Sequence, residues 1–128
     1  MRTLEQIDES YKAKRFECAA PNLMPHDIAK KRLELSYIVA EASDWIAGLE
    51  YEVSAAKIKE ERVFLENKAK GLSIAEARSI AKIEAFEDMW KAELNYTKAR
   101  RIISGGSELL NAMSSKLKVA ELESRNQM

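Results

Sequence analysis

The chain has very few side chains for cysteine- or histidine-based catalysis and metal binding. Its one cysteine, Cys18, and its one histidine, His26, lie on either side of a proline-containing segment, and catalysis would require them to meet in space. Carboxylates cluster at Glu60-Glu61 and at Glu84, Glu87 and Asp88. No histidine lies near them in the sequence, so these clusters are more typical of solvated helix faces than of metal sites. Gly105-Gly106 is followed by no Lys-Ser/Thr pair and therefore forms no phosphate-binding loop. We predict that the protein is not an enzyme and has neither a metal site nor a cofactor.

Clusters of basic side chains offer a different chemistry, the binding of phosphate. They lie at Lys30–Arg32, at Lys57, Lys59 and Arg62, at Lys68 and Lys70, and at Lys98, Arg100 and Arg101. Most such charges only solvate a helix face, but Lys68 and Lys70 lie where a helix is expected to end at an exposed turn. The chain has 21 basic and 21 acidic residues, which excludes a generally basic nucleic-acid coat but not a local patch. Repetition around an oligomer would supply the many phosphate contacts that sequence-independent binding requires.

The composition indicates what kind of fold positions these residues. The chain has 128 residues, of which 46% are hydrophobic and 33% charged, and only four are Gly and two Pro. These values favour one mostly helical domain over a disordered or loop-rich chain, and a single cysteine excludes a disulfide scaffold. The first residues contain no apolar segment typical of a secretion signal, and no stretch approaches the roughly 18 apolar residues of a membrane span. We expect a soluble, cytoplasmic protein with no membrane partner.

Hydrophobic spacing predicts three helices. Thr3 to Gln6 fits a capping box that begins an N-terminal helix within residues 1–20, and two prolines interrupt the chain after it. A second helix over about residues 26–70 carries apolar residues at every seventh position: Ile28, Leu35, Ala42, Leu49, Ala56 and Val63. A third over about 74–125 carries a seam in alternating steps of three and four: Met89, Ala92, Tyr96, Ala99, Ile103, Gly106, Leu110, Met113, Leu117 and Ala120. Gly71 as a helix stop, followed by a second capping box at Ser73 to Glu76, predicts a tight antiparallel connection.

These elements predict an all-α fold, in which a short N-terminal helix is followed by a long antiparallel two-helix coiled-coil hairpin. The hairpin is expected to span residues 25–125 and to belong to a single domain. The segment Ser104–Ser107 alone would resemble a linker, but the seam keeps its phase across it, so we predict a continuous helix there. Gly106 falls on the seam and Gly105 off it. A larger side chain should therefore be costly at Gly106, whereas Ala at Gly105 should favour the helix.

A second apolar face lies outside the seam of the third helix. Ile83 begins this face, and Ile102 and Leu109 flank the seam further along the helix. One hairpin buries a single stripe per helix and would leave these residues in water, yet contiguous exposed apolar patches usually mark interfaces. We therefore predict a homo-oligomer larger than a dimer. Its expected interface residues are Phe86, Trp90, Leu94, Ile102, Gly106 and Leu109.

The order of several motifs resembles that of the phage recombination mediators of the UvsY type. Trp45 near mid-helix, followed by the helix end Lys68-Ala69-Lys70-Gly71, is similar to a Trp and a Lys-Ala-Arg at closely similar spacing in that family. The next helix agrees again: Leu94-Asn95-Tyr96 resembles a Leu-Gln-Tyr, Ser104-Gly105 a Ser-Gly, and Leu110-Asn111-Ala112-Met113 a Leu-Asp-Ala-Ile. The resemblance covers about residues 40–120, which is most of the chain.

This resemblance implies a function without chemistry of its own. Members of the family bind single-stranded DNA, displace or remodel the single-strand-binding protein and help to load the recombinase, and they form rings around a helical hairpin core. The implied partners are further copies of the chain, single-stranded DNA, a recombinase and a single-strand-binding protein. The basic pair that the family has near its turn would fall on Lys68 and Lys70. Lys57, Lys59 and Arg62 are further candidates for contact with DNA.

A second hypothesis is a structural or adaptor coiled coil that binds another protein and no nucleic acid. Any amphipathic hairpin rich in Ala, Glu, Lys and Leu fits this hypothesis, and so does the net charge of zero. Retention on single-stranded DNA at low salt, lost steeply as salt is added, distinguishes the mediator from the adaptor.

Overall fold

The computed structural model describes residues 1–126, and within that range it is all-helical, without a strand. Three helices follow one another along the chain: α1 (Leu4–Cys18), α2 (Pro25–Ala69) and α3 (Ile74–Asn126). The predicted all-α fold, with one short helix and two long ones, is therefore confirmed. The ends of the two long helices lie within one residue of the predicted positions.

Local hydrogen bonds account for the ends of α1 and the start of α2. Thr3 Oγ1 accepts from the N–H of Gln6 at 3.2 Å, and Gln6 Oε1 accepts from the N–H of Thr3 at 2.9 Å, so the predicted capping box is formed. Asn22, between the two prolines, has a φ of 61°, a left-handed conformation that Asn adopts more readily than most residues. Pro25 is the first residue of α2, where its missing N–H sacrifices no helical hydrogen bond.

The chain divides into two compact units. Unit 1 is formed by Met1–Trp45 together with the chain from Lys98 onward, and unit 2 by Ile46–Thr97. Unit 1 therefore contains α1 and one part each of α2 and α3, whereas unit 2 contains the parts of α2 and α3 that adjoin the turn.

Unit 1 is a bundle of three helical segments. Cys18, Ile28 and Met113, one from each helix, form a buried cluster of its core. Trp45 Nε1 donates a hydrogen bond to the backbone oxygen of Arg2 at 3.2 Å, which ties the start of the chain to α2. The other buried apolar side chains of this unit are Leu4, Ile7, Tyr11, Leu35, Ile38, Ala42, Ala99 and Ile102.

Two glycines allow the helices of unit 1 to approach closely. α3 is continuous through Ser104–Ser107, as predicted. A Cβ built at Gly106 would overlap Cγ2 of Val39, and one built at Gly105 would overlap the hydroxyl of Tyr11. The expectation that Gly105 faces away from the packing is therefore wrong, because α1 covers that side of α3 through Tyr11.

Unit 2 consists of two antiparallel helical segments, and its core is thin. The ion pairs Lys59–Asp88 and Arg78–Glu61 join its helices, and the partner's number falls as the α2 residue number rises, as antiparallel packing requires. The buried residues on α2 are Leu49, Ala56 and Val63, and those on α3 are Ala77, Ala81, Ala85 and Ala92. Alanine methyl groups bring the helices close together but bury little apolar area.

The predicted heptad pattern coincides with the observed burial. All six positions of the α2 series, Ile28 to Val63, are buried. The α3 seam alternates: Ala92, Ala99, Gly106 and Met113 are buried, while the residues between them are half-buried. This alternation is the packing expected of a helical hairpin in which every second seam residue points most directly at its neighbour.

Candidate nucleic-acid and oligomer interfaces

The turn between α2 and α3 is a Schellman motif. The N–H of Leu72 donates to the carbonyl of Asn67 at 3.3 Å, and the N–H of Gly71 donates to the carbonyl of Lys68 at 3.0 Å. Gly71 has a φ of 91°, a conformation that is strained for any residue with a Cβ. Ser73 Oγ then accepts from the backbone N–H three residues on, at 3.2 Å, and begins α3. The glycine stop and the serine cap are thus both where the sequence predicted them.

The two lysines at this turn are exposed. Lys68 lies in the last turn of α2, where its Nζ donates to the carbonyl of Leu72 at 3.3 Å. Lys70 lies just beyond the helix, which ends at Ala69. Neither lysine forms an ion pair with a carboxylate among residues 1–126. Because Lys70 has left the helix, the separation of about 200° that a helix imposes on residues two apart does not hold for this pair.

The three further candidates for DNA contact differ in their partners. Lys59 Nζ lies 2.7 Å from Asp88 Oδ2, and this hydrogen bond lowers the pKa of the Asp88 carboxyl. Arg62 Nε lies 3.8 Å from Glu66 Oε1, one helical turn away. Lys57 is exposed and has no ion pair within the described residues. Lys59 and Arg62 are therefore paired with carboxylates, whereas Lys57 and the two turn lysines are not, among residues 1–126. The turn lysines differ from Lys57 because they lie in a segment, residues 67–75, that contains no acidic residue.

The predicted outer face of α3 is exposed in unit 2. The exposed fraction is 76% for Ile83, 66% for Phe86, 55% for Trp90 and 46% for Leu94. These four residues are called the α3 stripe below. A shallow groove beside the stripe is lined in part by Met89, Phe86 and Trp90. Among residues 1–126, each of these side chains keeps roughly half or more of its surface in water.

A second apolar stripe, which the sequence analysis did not identify, lies on α2 in the same unit. Tyr51, Ile58 and Leu65 are 75%, 69% and 58% exposed and recur every seven residues. They are called the α2 stripe below. Each lies two residues after a buried heptad residue, which is about 200° around the helix and hence on its outer side. The sequence does contain this signal, as a second series of apolar residues that recurs every seven positions and lies two residues after the first series.

Three of the residues expected at an oligomer interface instead lie within unit 1. Ile102 is fully buried, and Gly106 is buried against Val39. Leu109 is half-buried and packs on the Cys18 cluster of the core. Ile102 and Leu109 were expected on an exposed face, and that expectation is wrong, whereas Gly106 lies on the packed seam as predicted. α1 supplies the third helix that covers this part of α3.

Cys18 and His26 do not form a catalytic pair. Cys18 is only 4% exposed, and burial raises the pKa of its thiol. The side chain of His26 is 84% exposed and lies 3.4 Å from Asp27. No hydrogen bond joins the thiol to the imidazole within the described residues. The thiol is therefore part of the core rather than an activated nucleophile.

Unit 1 also contains a charged groove between α1 and α3 that sequence reasoning missed. The carboxylate of Asp8 is 7% exposed and lies 3.1 Å from Lys12 Nζ and 3.3 Å from Arg101 Nη2. Arg15 and Phe16 line the same groove. The pairing of Asp8 with Arg101 joins residues 93 positions apart, so only the docking of α1 brings these groups together.

Within residues 1–126, no helix is both long enough and apolar enough to span a bilayer. In the same range, no group of three or more His, Cys, Asp or Glu side chains is placed to hold a metal ion. The chain matches no protein-family model, and neither a curated protein nor a solved structure is similar enough to be matched.

Proposed function

We propose that this protein is a homo-oligomeric accessory of recombination. It binds single-stranded DNA and helps to load a recombinase in place of the single-strand-binding protein, in the cytoplasm and without chemistry of its own. The observation that carries the proposal is the α3 stripe, which leaves four large apolar side chains in water on the unit with the thinner core. The exposed turn lysines and the resemblance to the UvsY-type mediators connect that assembly to DNA.

The two stripes of unit 2 support head-to-tail assembly. The α3 stripe and the α2 stripe lie on different helices of the same unit, so the α2 stripe of one copy can pack on the α3 stripe of the next. Packing the α2 stripe of one copy on the α3 stripe of the next gives a heterologous contact, which generates a closed ring when the rotation permits. A second copy of the chain is the occupant that this proposal assigns to both stripes.

Light scattering coupled to gel filtration tests this assembly. The wild-type protein should have several times the chain mass of 14.5 kDa, whereas Trp90→Glu with Leu94→Glu should be monomeric with its helical circular dichroism retained. Ile58→Glu with Leu65→Glu should be monomeric for the same reason. In an equimolar mixture, the Trp90/Leu94 variant still has its α2 stripe and the Ile58/Leu65 variant still has its α3 stripe. These two intact stripes can pack once, so the mixture should form a dimer and nothing larger. A monomeric wild type contradicts the proposal, and a mixture that stays monomeric contradicts head-to-tail packing.

DNA binding is assigned to Lys68 and Lys70. Fluorescence anisotropy with a labelled oligothymidylate should show binding at low salt that weakens steeply as salt is added. Changing both lysines to Ala should weaken binding at least several-fold and flatten the salt dependence, with oligomer mass and helicity unchanged. Lys30→Ala with Lys118→Ala removes the same charge from exposed positions of unit 1 and should leave both properties unchanged.

The outcomes separate the two functions considered for this chain. An unchanged salt slope in the Lys68/Lys70 variant contradicts the site assignment. If the wild-type oligomer binds no single-stranded DNA even at low salt, the mediator proposal fails, and the adaptor coiled coil takes its place.

A further inference from the structure

The groove between α1 and α3 in unit 1 has the charge expected of an anion site. Its volume is about 540 Å³, and it is lined by Asp8, Tyr11, Lys12, Arg15, Phe16, Ala19 and Arg101. We call it the α1 groove. Three cations and one carboxylate give its lining a net charge of +2, in a chain whose overall net charge is zero. Such local segregation of charge is what a neutral protein needs in order to attract phosphate.

The carboxylate of the α1 groove positions two of its cations. Asp8 is buried, forms an ion pair with Lys12 and accepts a hydrogen bond from Arg101, yet the side chains of Lys12 and Arg101 remain 66% and 57% exposed. Each cation is therefore held at the groove while most of its surface still faces solvent. Arg15 lines the same groove and has no ion pair among residues 1–126, so its guanidinium retains its full set of donors for a phosphate.

Phe16 adds an aromatic ring to the α1 groove, which a site for phosphate alone would not need. It follows Arg15 directly and is 84% exposed, near the C-terminal end of α1. The face of an exposed aromatic ring beside cations provides a stacking surface for an unpaired base, while the cations bind the neighbouring phosphates. Bases of a duplex are stacked on each other and cannot reach such a ring.

We propose that the α1 groove binds single-stranded DNA, with Lys12, Arg15 and Arg101 on the phosphates and Phe16 stacked on a base. This inference rests on the proposed function and assigns it a second contact, in unit 1, besides the turn lysines of unit 2. The groove supplies what the lysines lack, which is a preference for single strands over duplex.

Phe16→Ala tests the stacking contact, because the exposure of Phe16 makes its removal harmless to folding. Affinity for oligothymidylate should fall at least about 5-fold, as expected for the loss of one stacked base. Affinity for an abasic oligonucleotide with the same backbone should not change, and Phe16→Trp should restore binding of oligothymidylate. Arg15→Gln should weaken binding of both oligonucleotides and reduce the salt slope by about 0.7 per site. Lys30→Gln, an exposed cation elsewhere in unit 1, is the matched control.

Different results would contradict different parts of this proposal. If Phe16→Ala binds oligothymidylate as wild type does, while the Lys68/Lys70 variant binds weakly, the groove is not a DNA site but the proposed function stands. An equal loss on the abasic oligonucleotide, or equal dependence on Phe16 with a duplex, overturns the stacking role. A wild-type protein that binds no single-stranded DNA refutes the groove and the proposed function together.

Discussion

Replacing Gly105 with Ala should have opposite effects on stability in two backgrounds that differ by one oxygen atom. In the wild type, the new methyl group meets the hydroxyl of Tyr11, which is buried against α3. In a chain that carries Tyr11→Phe, that hydroxyl is absent. The nearest remaining contact is then the ring carbon Cζ at 3.4 Å, an ordinary van der Waals distance.

The expected magnitudes follow from two opposing terms. Ala in place of Gly within a helix stabilises by about 1 kcal/mol, and overpacking a fitted core typically costs about 1–3 kcal/mol. Gly105→Ala should therefore destabilise the wild type by about 0–2 kcal/mol. In the Tyr11→Phe background only the first term remains, so the same change should stabilise by up to about 1 kcal/mol. The coupling free energy between the two positions is the overpacking cost itself, about 1–3 kcal/mol.

A double-mutant cycle measures this coupling without requiring the effect of Tyr11→Phe to be known in advance. Urea unfolding followed by circular dichroism at 222 nm gives the four free energies of unfolding. The protein concentration must be the same in all four, because self-association of the kind proposed above would make apparent stability depend on it. If Gly105→Ala changes the free energy of unfolding equally in both backgrounds, α1 does not dock on α3 at this position.

Three further predictions concern the packing and ionisation of unit 1. Gly106→Leu should destabilise by at least about 1–3 kcal/mol, and a urea midpoint equal to that of the wild type would show that this segment of α3 is not packed. Cys18 should react slowly with a thiol reagent in the native protein and rapidly in denaturant, because burial raises the pKa of its thiol; rapid native labelling would contradict this burial. Hydrogen bonds from Lys14 lower the pKa of Glu17 and Glu34 below their ordinary value of 4.5. The two carboxylates therefore stabilise the fold above pH 4.5, and this contribution is lost as the pH falls through the lowered pKa values. Lys14→Met should flatten the dependence of the free energy of unfolding on pH in that range. An unchanged pH dependence would contradict this ion cluster.

The sequence predicted the helices well because their signals are local. The heptad series from Ile28 to Val63 lies within one helix, and its burial needs only that some helix pack against it. The stop at Gly71 depends on hydrogen bonds among residues 67–72, and the start of α3 on the side chain of Ser73. Each of these features is determined by a few neighbouring residues, so one sequence was sufficient to locate them.

Features that depend on the docking of α1 were not predictable in the same way. Gly105 and Ile102 were placed on a free face because no periodicity in residues 1–20 reveals which side of α3 the first helix covers. The ion pair between Asp8 and Arg101 has the same origin. In the hairpin, the pairing of Lys59 with Asp88 depends on register, and a repeat of seven residues is satisfied equally by registers that differ by one heptad.

The proposed function makes DNA affinity a property of the assembly rather than of one chain. In unit 2, Lys59 and Arg78 are paired with carboxylates, whereas the turn from Asn67 to Ala75 contains two lysines and no acidic residue. Each phosphate contact with a single strand contributes about −0.7 to the slope of log affinity against log salt, so the turn of one subunit supplies about −1.4. A slope of that size corresponds to weak binding. A steeper slope requires that the turns of several subunits, or turns together with α1 grooves, contact the same DNA strand. Under the proposed function, the apolar stripes would therefore be as necessary for DNA binding as the lysines themselves.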